Sequence, residues 1–283
     1  MRVALQAGAM KPAMVELFRD AYLPISQNSE HSFDGIAGPH TVRFMKSATI
    51  PEEVVAGEYD CGITGEDVIE CSGLADNVET VVQLYLSRKS DQPIRVVLVG
   101  QEHSVFPVDG ATVYVDIEYK TFAQRLKQKY PNIIVKVMLG TSEEKVRSDR
   151  EFAIVATETG SSLKANGLRE KQVIARSSMV LFVQKGLAGV ERNEVEELGW
   201  LLSGVVNARG KVLIKMNILD NQKLSGILPI LPALGSPTVM PLAGGGHAIE
   251  TVIPAEQVST LVPALKRAGA SGIISQDLHL VVL

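Results

Sequence analysis

Residues 152–169, FAIVATETGSSLKANGLR, contain the pattern that decides the fold. The apolar run at 152–156 is short and sharply bounded, which predicts a buried strand. A Thr-Gly turn follows, with Ser161 and Ser162 at the expected N-cap of a short helix that Gly167 ends. This order places several unpaired N–H groups beside the positive end of a helix dipole, which suits a phosphate. The alternative interpretation is an ordinary strand-to-helix connection with a serine cap.

A second stretch, YDCGITGEDVIECSGL at 59–74, repeats the same design. It has a strand at 60–63, the Thr64-Gly65 pair, an acidic helix start and a terminal Gly-Leu. Strands alternate with helical patterns over most of the first 207 residues, which is typical of parallel α/β lobes. The two units therefore predict two α/β lobes whose helix N-termini face a shared cleft. The alternative is coincidence, because strand–Thr-Gly–helix units are common in α/β proteins.

The pattern changes after residues 208–210. The order strand–helix–strand–strand–helix–strand over the rest of the chain, with one or two strands at 272–283, predicts a ferredoxin-like domain. We therefore expect a first lobe at 1–93 and 179–207, a second lobe at 94–178, and a small domain at 208–283. Long strands at 78–87 and 94–100 are expected to cross between the lobes.

Composition limits the function classes. The 283 residues include 46% apolar and 21% charged residues, with a net charge of −4, as in soluble globular proteins. No run of Lys or Arg exceeds two residues, which argues against nucleic acid or an anionic membrane as a partner. No apolar segment is long enough to cross a membrane. Two cysteines without a disulfide framework, and a start without a signal peptide, predict a cytoplasmic protein.

Four stretches resemble the long form of ATP phosphoribosyltransferase, the first enzyme of histidine biosynthesis. They are GITGEDVIE (62–70), ETGSSLKANGLR (158–169), SPTVMPLA (236–243) and LKRAGASGII (265–274). The resemblance implies two catalytic lobes similar to bilobed ligand-binding proteins, and a regulatory ferredoxin-like (ACT-like) domain. It also implies transfer of the 5-phosphoribosyl group from phosphoribosyl pyrophosphate to N1 of ATP with Mg²⁺, feedback by histidine, and a homo-oligomer between dimer and hexamer.

The resemblance also assigns roles to residues of this chain. The loop for the donor's 5-phosphate maps onto Glu158, Thr159, Gly160, Ser161, Ser162 and Leu163. Glu143 and Glu151 are expected to hold ribose hydroxyls or Mg²⁺, with solvated surface charge as the alternative. The other substrate-binding candidates are Lys11 and Lys46 for pyrophosphate, Tyr119 for stacking on a base or simple packing, and Gly65 and Asp67, where Asp67 could instead only stabilise a helix start. Histidine is expected to bind at Thr238, Leu242, Ala270 and Ser271.

The chain also departs from the family pattern at charged positions. The first loop, 7–10, lacks the family's two basic residues, the Lys46 segment lacks its aspartate, and Val155 stands where the family has another. Losing one charged contact in a desolvated site typically costs about 1 kcal/mol or more. Three hypotheses therefore stay open: transfer to ATP, transfer to a different heterocycle, and a non-catalytic regulatory or ligand-binding protein.

Overall fold

The computed structural model describes residues 1–29, 31–84, 94–232 and 234–283. The first elements are β1 (Arg2–Gln6), α1 (Lys11–Asp20), β2 (Ile25–Ser26), β3 (Asp34–Ala37), β4 (His40–Met45), α2 (Ile50–Val55), β5 (Cys61–Gly65), α3 (Glu66–Ser72), β6 (Val78–Leu84), β7 (Ile94–Gln101), β8 (Thr112–Asp116) and α4 (Lys120–Lys129). The others are β9 (Ile134–Met138), β10 (Glu151–Thr157), α5 (Ser161–Ala165), β11 (Leu168–Ser177), β12 (Met179–Gln184), α6 (Gly189–Ala208), β13 (Lys211–Ile218), α7 (Asn221–Ile227), β14 (Thr238–Pro241), β15 (His247–Pro254), α8 (Val258–Ala268) and β16 (Ser271–Asp277).

The chain divides into two compact units, Met1–Leu202 and Ser203–Leu283. The larger unit contains two sheets. Lobe I is built on a seven-stranded sheet in the order β2-β3-β4-β1-β5-β12-β6. The strands β4, β1 and β5 are parallel, and β12 returns antiparallel beside β5. The strand predicted at 78–87 is β6, whose described part ends at Leu84; residues 85–87 of that prediction lie outside the described residues.

Helices cover both faces of the lobe I sheet. On one face, α1 buries Met14, Leu17 and Phe18, which recur at the spacing of one helical face. On the other face, Ile50 and Val54 of α2 and Ile69 of α3 pack with Ala4, Val180 and Phe182 of the sheet. Because both faces are covered at the centre of the sheet, β5 and β12 are buried along nearly their whole length, whereas β4 nearer the edge alternates between exposed and buried residues.

Lobe II has a five-stranded sheet in the order β11-β7-β10-β8-β9. The strands β10, β8 and β9 are parallel, whereas β7 runs antiparallel to both of its neighbours, β10 and β11. Phe152 and Ile154 pack on the α4 side, while Ala153 and Val155 pack with Leu163 on the α5 side. The apolar run that opens the focal stretch is therefore a central strand buried on both faces, as predicted.

The smaller unit has the β-α-β-β-α-β order with the sheet order β14-β15-β13-β16. Alternate residues of β13 are buried beneath α7 and α8, and they form the core with Ile249 and Ile253 of β15. This is a ferredoxin-like arrangement, so the predicted fold class is confirmed. The last strand, however, ends at Asp277, and residues 278–283 are not a strand. In the described parts of the chain, no helix has the length and apolar character needed to cross a membrane.

Close packing in lobe I makes a specific prediction at Gly62. A methyl group added there would lie 2.6 Å from Ile50 Cγ2 and 2.9 Å from the Phe182 ring. Since both neighbours belong to a packed core, we expect Gly62→Ala to lower the free energy of unfolding by about 1–3 kcal/mol. Gly226→Ala is the control, because that methyl group meets nothing within 4 Å. Equal denaturation midpoints for the two variants would contradict the packing described here.

Candidate active site

The parallel strands of both lobes end at edges that carry the predicted site residues. Lys46 follows β4, the turn Ile117–Tyr119 follows β8, and Glu143 starts the turn after β9. In open α/β sheets, ligands bind outside the carboxyl ends of the parallel strands. A cavity of about 310 Å³ opens here between the lobes, and it is lined by Ser47, Ala48, Glu52, Val68, Cys71, Ser72, Ile117, Glu118 and Tyr119.

The Thr-Gly turn after β10 is partly capped by its own hydroxyl groups. The Gly160 N–H donates to Thr157 Oγ1 at 3.0 Å, and the Ser161 N–H donates to Thr159 Oγ1 at 3.4 Å. The expectation of several unpaired N–H groups is therefore corrected. Only the next two, those of Ser162 and Leu163, donate to no atom in the described chain. The side chains of Ser161 and Ser162 are exposed.

The cap of this helix also differs from the prediction. Gly160, not a serine, is the N-cap, and its φ of 70° lies in the left-handed region that favours glycine. The two serines are the first residues of α5. The turn therefore requires glycine for its backbone conformation, and its hydroxyl groups stay at the surface.

Arg95 of the neighbouring strand β7 contacts the Thr-Gly turn, and the sequence did not predict this contact. Its guanidinium donates to the Glu158 carbonyl at 3.2 Å and forms an ion pair with Glu170 at 2.6 Å. A Cβ atom on Gly160 would lie 3.2 Å from the Glu170 carboxylate. A negative charge thus lies beside the turn, and Arg95 offsets it. No local pattern reveals this contact, because the three residues belong to different strands and to the turn.

At the first Thr-Gly unit, the polar groups at the start of α3 form hydrogen bonds with other residues of the chain. The Asp67 carboxylate is buried, accepts a hydrogen bond from Ser177 Oγ at 2.6 Å, and is also hydrogen-bonded to Tyr119. In return, Ser177 Oγ accepts from the Asp67 N–H at 3.1 Å. A Cβ atom on Gly65 would overlap the Asp67 carboxylate, so a close approach requires glycine here. Asp67 therefore joins α3 of lobe I to lobe II.

The neighbouring residue completes this connection. The Glu66 N–H donates to the Ser178 carbonyl at 3.0 Å, and the Ser178 N–H donates to the Glu66 carboxylate at 2.9 Å. The segment that returns from lobe II to lobe I thus occupies the start of α3. The first N–H groups of that helix, which the repeated pattern directed at a ligand, are satisfied by the chain itself.

Two titratable groups of this region, the Tyr119 hydroxyl and the Cys71 thiol, are held neutral. Burial raises the pKa of the Tyr119 hydroxyl, and the nearby Asp67 charge and hydrogen bond raise it further. Burial likewise raises the pKa of the Cys71 thiol to about 12, with the charge of Asp67 adding to the effect. Neither group supplies a nucleophilic anion near neutral pH, so these two groups line a wall rather than perform acid–base chemistry.

Glu151 lies apart from the other candidates. It begins β10, whereas the turn follows Thr157 at the other end of the strand, roughly 20 Å away for a strand of this length. Its partial burial would raise its pKa, but hydrogen bonds from the Arg147 N–H, Tyr114 hydroxyl and Ser148 hydroxyl outweigh this and lower the pKa. The structure therefore does not bring Glu151 together with the turn.

Three further positions differ in accessibility. Glu143 is half-buried, and its loop is anchored by the Gly140 N–H, which donates to Asp116 at 3.1 Å. Lys46 is exposed, but the Lys11 ammonium donates to the Ser32 carbonyl at 3.4 Å and lies 4.8 Å from the Phe44 ring centroid. Val155 is 8% exposed in the apolar cluster with Leu163.

The residues assigned to histidine lie at both edges of the small sheet. Thr238 and Leu242 belong to the β14 edge, whereas the buried Ala270 and the neighbouring Ser271 belong to the β16 edge. Two strands separate these edges, which corresponds to roughly 14 Å. One chain therefore does not bring the four residues together.

The buried bond at Ser177 can be tested by comparison with its neighbour. Ser177→Ala removes a hydroxyl that both accepts from and donates to Asp67, so we expect a loss of about 1–3 kcal/mol in unfolding free energy. Ser178→Ala is the matched control, because within the described residues that side chain makes no hydrogen bond. Chemical denaturation measures both variants; equal stability would show that the Asp67 bond contributes nothing.

Comparison with known proteins identifies the family. The family profile for ATP phosphoribosyltransferase (HisG) matches residues 46–204, and the HisG C-terminal domain profile matches residues 208–279. ATP phosphoribosyltransferases of Pelotomaculum thermopropionicum and Chlorobium phaeobacteroides are each 33% identical, over 100% of this chain and 99% and 97% of their own length. The Thermotoga maritima ATP phosphoribosyl transferase (HisG:HisZ) complex contains a chain of similar fold, with a TM-score of 0.60, 16% identity, and coverage of 73% of this chain and 98% of that one. The predicted resemblance is confirmed, and the chain belongs to the ATP phosphoribosyltransferase family.

Proposed function

We propose that the protein transfers the 5-phosphoribosyl group from phosphoribosyl pyrophosphate to N1 of ATP and releases pyrophosphate. The observation that carries this proposal is the match over the full length to relatives named ATP phosphoribosyltransferase. The retained Thr-Gly turn supports it, because the turn lies at the carboxyl end of a parallel strand. Both substrates are cytosolic metabolites, so we place the reaction in the cytoplasm.

The donor's 5-phosphate is proposed to bind at residues 158–163. The N–H groups of Ser162 and Leu163 and the exposed hydroxyls of Thr159, Ser161 and Ser162 supply neutral donors. Arg95 reaches the same turn through the Glu158 carbonyl. Backbone and hydroxyl donors at a helix start are a common solution for phosphate, because they need no side-chain charge.

The transfer itself needs little covalent help from the protein. The lone pair of the acceptor nitrogen forms a bond to C1 of the ribose, the bond from C1 to pyrophosphate breaks, and pyrophosphate leaves with that electron pair. Positioning of the reactants and stabilisation of charge are therefore the main contributions. Glu143 is the carboxylate proposed for the ribose hydroxyls, with Lys46 as the exposed cation for pyrophosphate; Glu151 lies too far from the turn for that role.

Mg²⁺ is proposed to enter with the donor. Among the described residues, no group of three or more His, Cys, Asp and Glu side chains is arranged to hold a metal. Mg²⁺ commonly keeps several waters and binds through substrate phosphates with one or two carboxylates. When bound, it would neutralise charge on the pyrophosphate group.

A second candidate is the same transfer to a heterocycle without a triphosphate. The interlobe cavity favours it, because its lining includes two carboxylates and no Lys, Arg or His. Lys11, one of the two cations expected near pyrophosphate, already donates to Ser32. Turnover of ATP against a panel of nucleosides and free bases, with pyrophosphate release as the readout, distinguishes the two candidates.

The smaller unit is proposed to sense histidine through Thr238, Leu242, Ala270 and Ser271. These residues lie at opposite edges of one sheet, so a ligand that touches both pairs would need two copies of the chain. The proposed histidine site thus fits a homo-oligomer. Sedimentation with and without histidine, together with inhibition of turnover, tests this part of the proposal.

Donor binding at the turn predicts a large effect at Gly160. Gly160→Asp places a carboxylate where the phosphate would bind, so we expect affinity for phosphoribosyl pyrophosphate to fall at least about 100-fold, or about 2.7 kcal/mol. Gly167→Asp is the control for backbone strain, because its φ of 71° is close to the 70° of Gly160 and a Cβ atom there meets nothing. Calorimetric titration measures both; unchanged affinity in the first variant would remove the donor site from this turn.

The Arg95–Glu170 pair predicts non-additive effects. Arg95→Met leaves the Glu170 carboxylate uncompensated beside the turn, so we expect KM for phosphoribosyl pyrophosphate to rise about tenfold or more. Adding Glu170→Gln removes the repelling charge and should restore part of that loss, with a coupling of about 0.5–3 kcal/mol in the double-mutant cycle. Strict additivity of the two substitutions would contradict an electrostatic role for this pair.

A further inference from the structure

Helix α3 belongs to lobe I by its place in the chain, but it packs against the cores of both lobes. Ile69 is buried in the lobe I core with Val54 and Phe182. Two residues later, Cys71 packs against the lobe II core that contains Phe122. Because packed cores resist small displacements, the position of α3 fixes how far apart the two lobes lie.

Three polar contacts join α3 to lobe II along the length of the helix. They are the hydrogen bond between Asp67 and Tyr119, the hydrogen bond from Thr121 Oγ1 to the Cys71 carbonyl at 3.3 Å, and the ion pair between Glu70 and Arg125. The lobe II partners lie in the turn after β8 and in α4. We call these three pairs the interlobe contact.

The two ends of the interlobe contact differ in burial. Asp67 is buried and also accepts from Ser177, where the chain returns from lobe II to lobe I. The side chains of Glu70 and Arg125, by contrast, are 38% and 54% exposed. Opening the buried end would leave a carboxylate without partners, whereas an exposed ion pair is exchanged for water at little cost. The interlobe contact therefore has a fixed end beside the chain crossing and a releasable end at Glu70.

We infer that the Glu70–Arg125 pair is the releasable end of a latch that sets the width of the interlobe opening, and that Arg125 is a positioning residue for the transfer. Neither residue lines the interlobe cavity. Both act through α3 and the turn Ile117–Tyr119, which do line it. Rotation of two lobes about a few residues near the chain crossing is a common motion of bilobed proteins.

The role of Arg125 in turnover rests on the proposed reaction, whereas the opening of the lobes does not. A substrate that contacts both lobes binds to the closed arrangement, so its apparent affinity falls in proportion to the closed population. An exposed ion pair shifts that population only modestly. We therefore expect Arg125→Met to raise KM for phosphoribosyl pyrophosphate about threefold or more, with a smaller effect on kcat.

The native thiol of Cys71 reports directly on the opening. It is half-buried against lobe II, and burial raises its pKa to about 12, so it reacts slowly with iodoacetamide while the latch is closed. Cys61 is fully buried in the lobe I sheet and serves as the internal reference. We expect Arg125→Met to speed alkylation of Cys71 about threefold or more and to leave Cys61 unchanged. Peptide mapping of the alkylated full chain by mass spectrometry distinguishes the two thiols.

The sign of this effect separates opening from a direct charge effect. The positive charge of Arg125 lowers the pKa of Cys71, against the larger effect of burial. Losing that charge alone would raise the pKa further and slow alkylation, because the thiolate is the reactive form. Faster alkylation of Cys71 in Arg125→Met therefore reports greater exposure.

Two further variants complete the experiment. Lys129→Met is the matched control, because it removes a positive charge from the same helix, yet its ammonium lies 5.3 Å from the Tyr130 ring of its own lobe. Its alkylation rate and KM should equal those of the unmodified protein. Exchanging the pair, with Arg125→Glu and Glu70→Arg in one chain, should return the Cys71 rate to within about twofold of the original.

An unchanged Cys71 rate in Arg125→Met, an equal rise at Cys61, or a rise that the exchanged pair does not reverse would overturn the latch. A faster rate with unchanged KM would remove the positioning role of Arg125. The proposed reaction is tested separately by pyrophosphate release, since alkylation needs no substrate. Faster alkylation in Arg125→Met, together with no turnover by the unmodified protein, would support the latch while rejecting the reaction.

Discussion

The larger unit depends on one buried carboxylate. Asp67 lies in the first turn of α3 in lobe I, yet its partners are Ser177, at the end of the last lobe II strand, and Tyr119, in the turn after β8. A buried carboxylate is costly unless it is hydrogen-bonded, so Ser177 and Tyr119 stabilise Asp67 in this position. The lobes are consequently tied at the same turn that lines the interlobe cavity, and one contact connects stability of the unit with the shape of the site.

This dependence explains why two stretches that look alike in sequence behave differently. Both place a Thr-Gly pair between a strand and a helix. In the first, the chain's own return segment supplies Ser177 and Ser178 to the helix start. In the second, hydroxyls of the turn cap only the first two N–H groups. Local sequence specifies the turn, but which groups fill it depends on contacts more than a hundred residues away, such as the separation of 110 between Asp67 and Ser177.

The difference between local sequence and long-range contacts also determines which features could be predicted from the sequence. Periodicity and turn residues were sufficient for the two lobes and the small domain, because those features depend on local spacing. The resemblance assigned Glu151 to the ribose hydroxyls or Mg²⁺, but an extended strand carries it to the opposite edge from the Thr-Gly turn. Arg95 could not be found from the sequence, since its partners Glu158 and Glu170 become neighbours only when three strands pair.

The surroundings of Val155 explain one departure from the family pattern in physical terms. Where the family has an aspartate, Val155 packs in an apolar cluster with Leu163 and Leu168 beneath α5. A charge at that depth would need a partner, and the cluster supplies none, so the valine is matched to its surroundings.

The charged side chains near the proposed site lie in different places according to their sign. The guanidinium of Arg95 lies at the turn proposed for the donor's 5-phosphate, while the carboxylates of Glu52 and Glu118 line the cavity between the lobes. During transfer, negative charge grows on the departing pyrophosphate and positive charge on the ring. Arg95 lies at the 5-phosphate and is already paired with Glu170, so stabilisation of the departing pyrophosphate falls to the exposed Lys46 and to the Mg²⁺ that is proposed to enter with the donor.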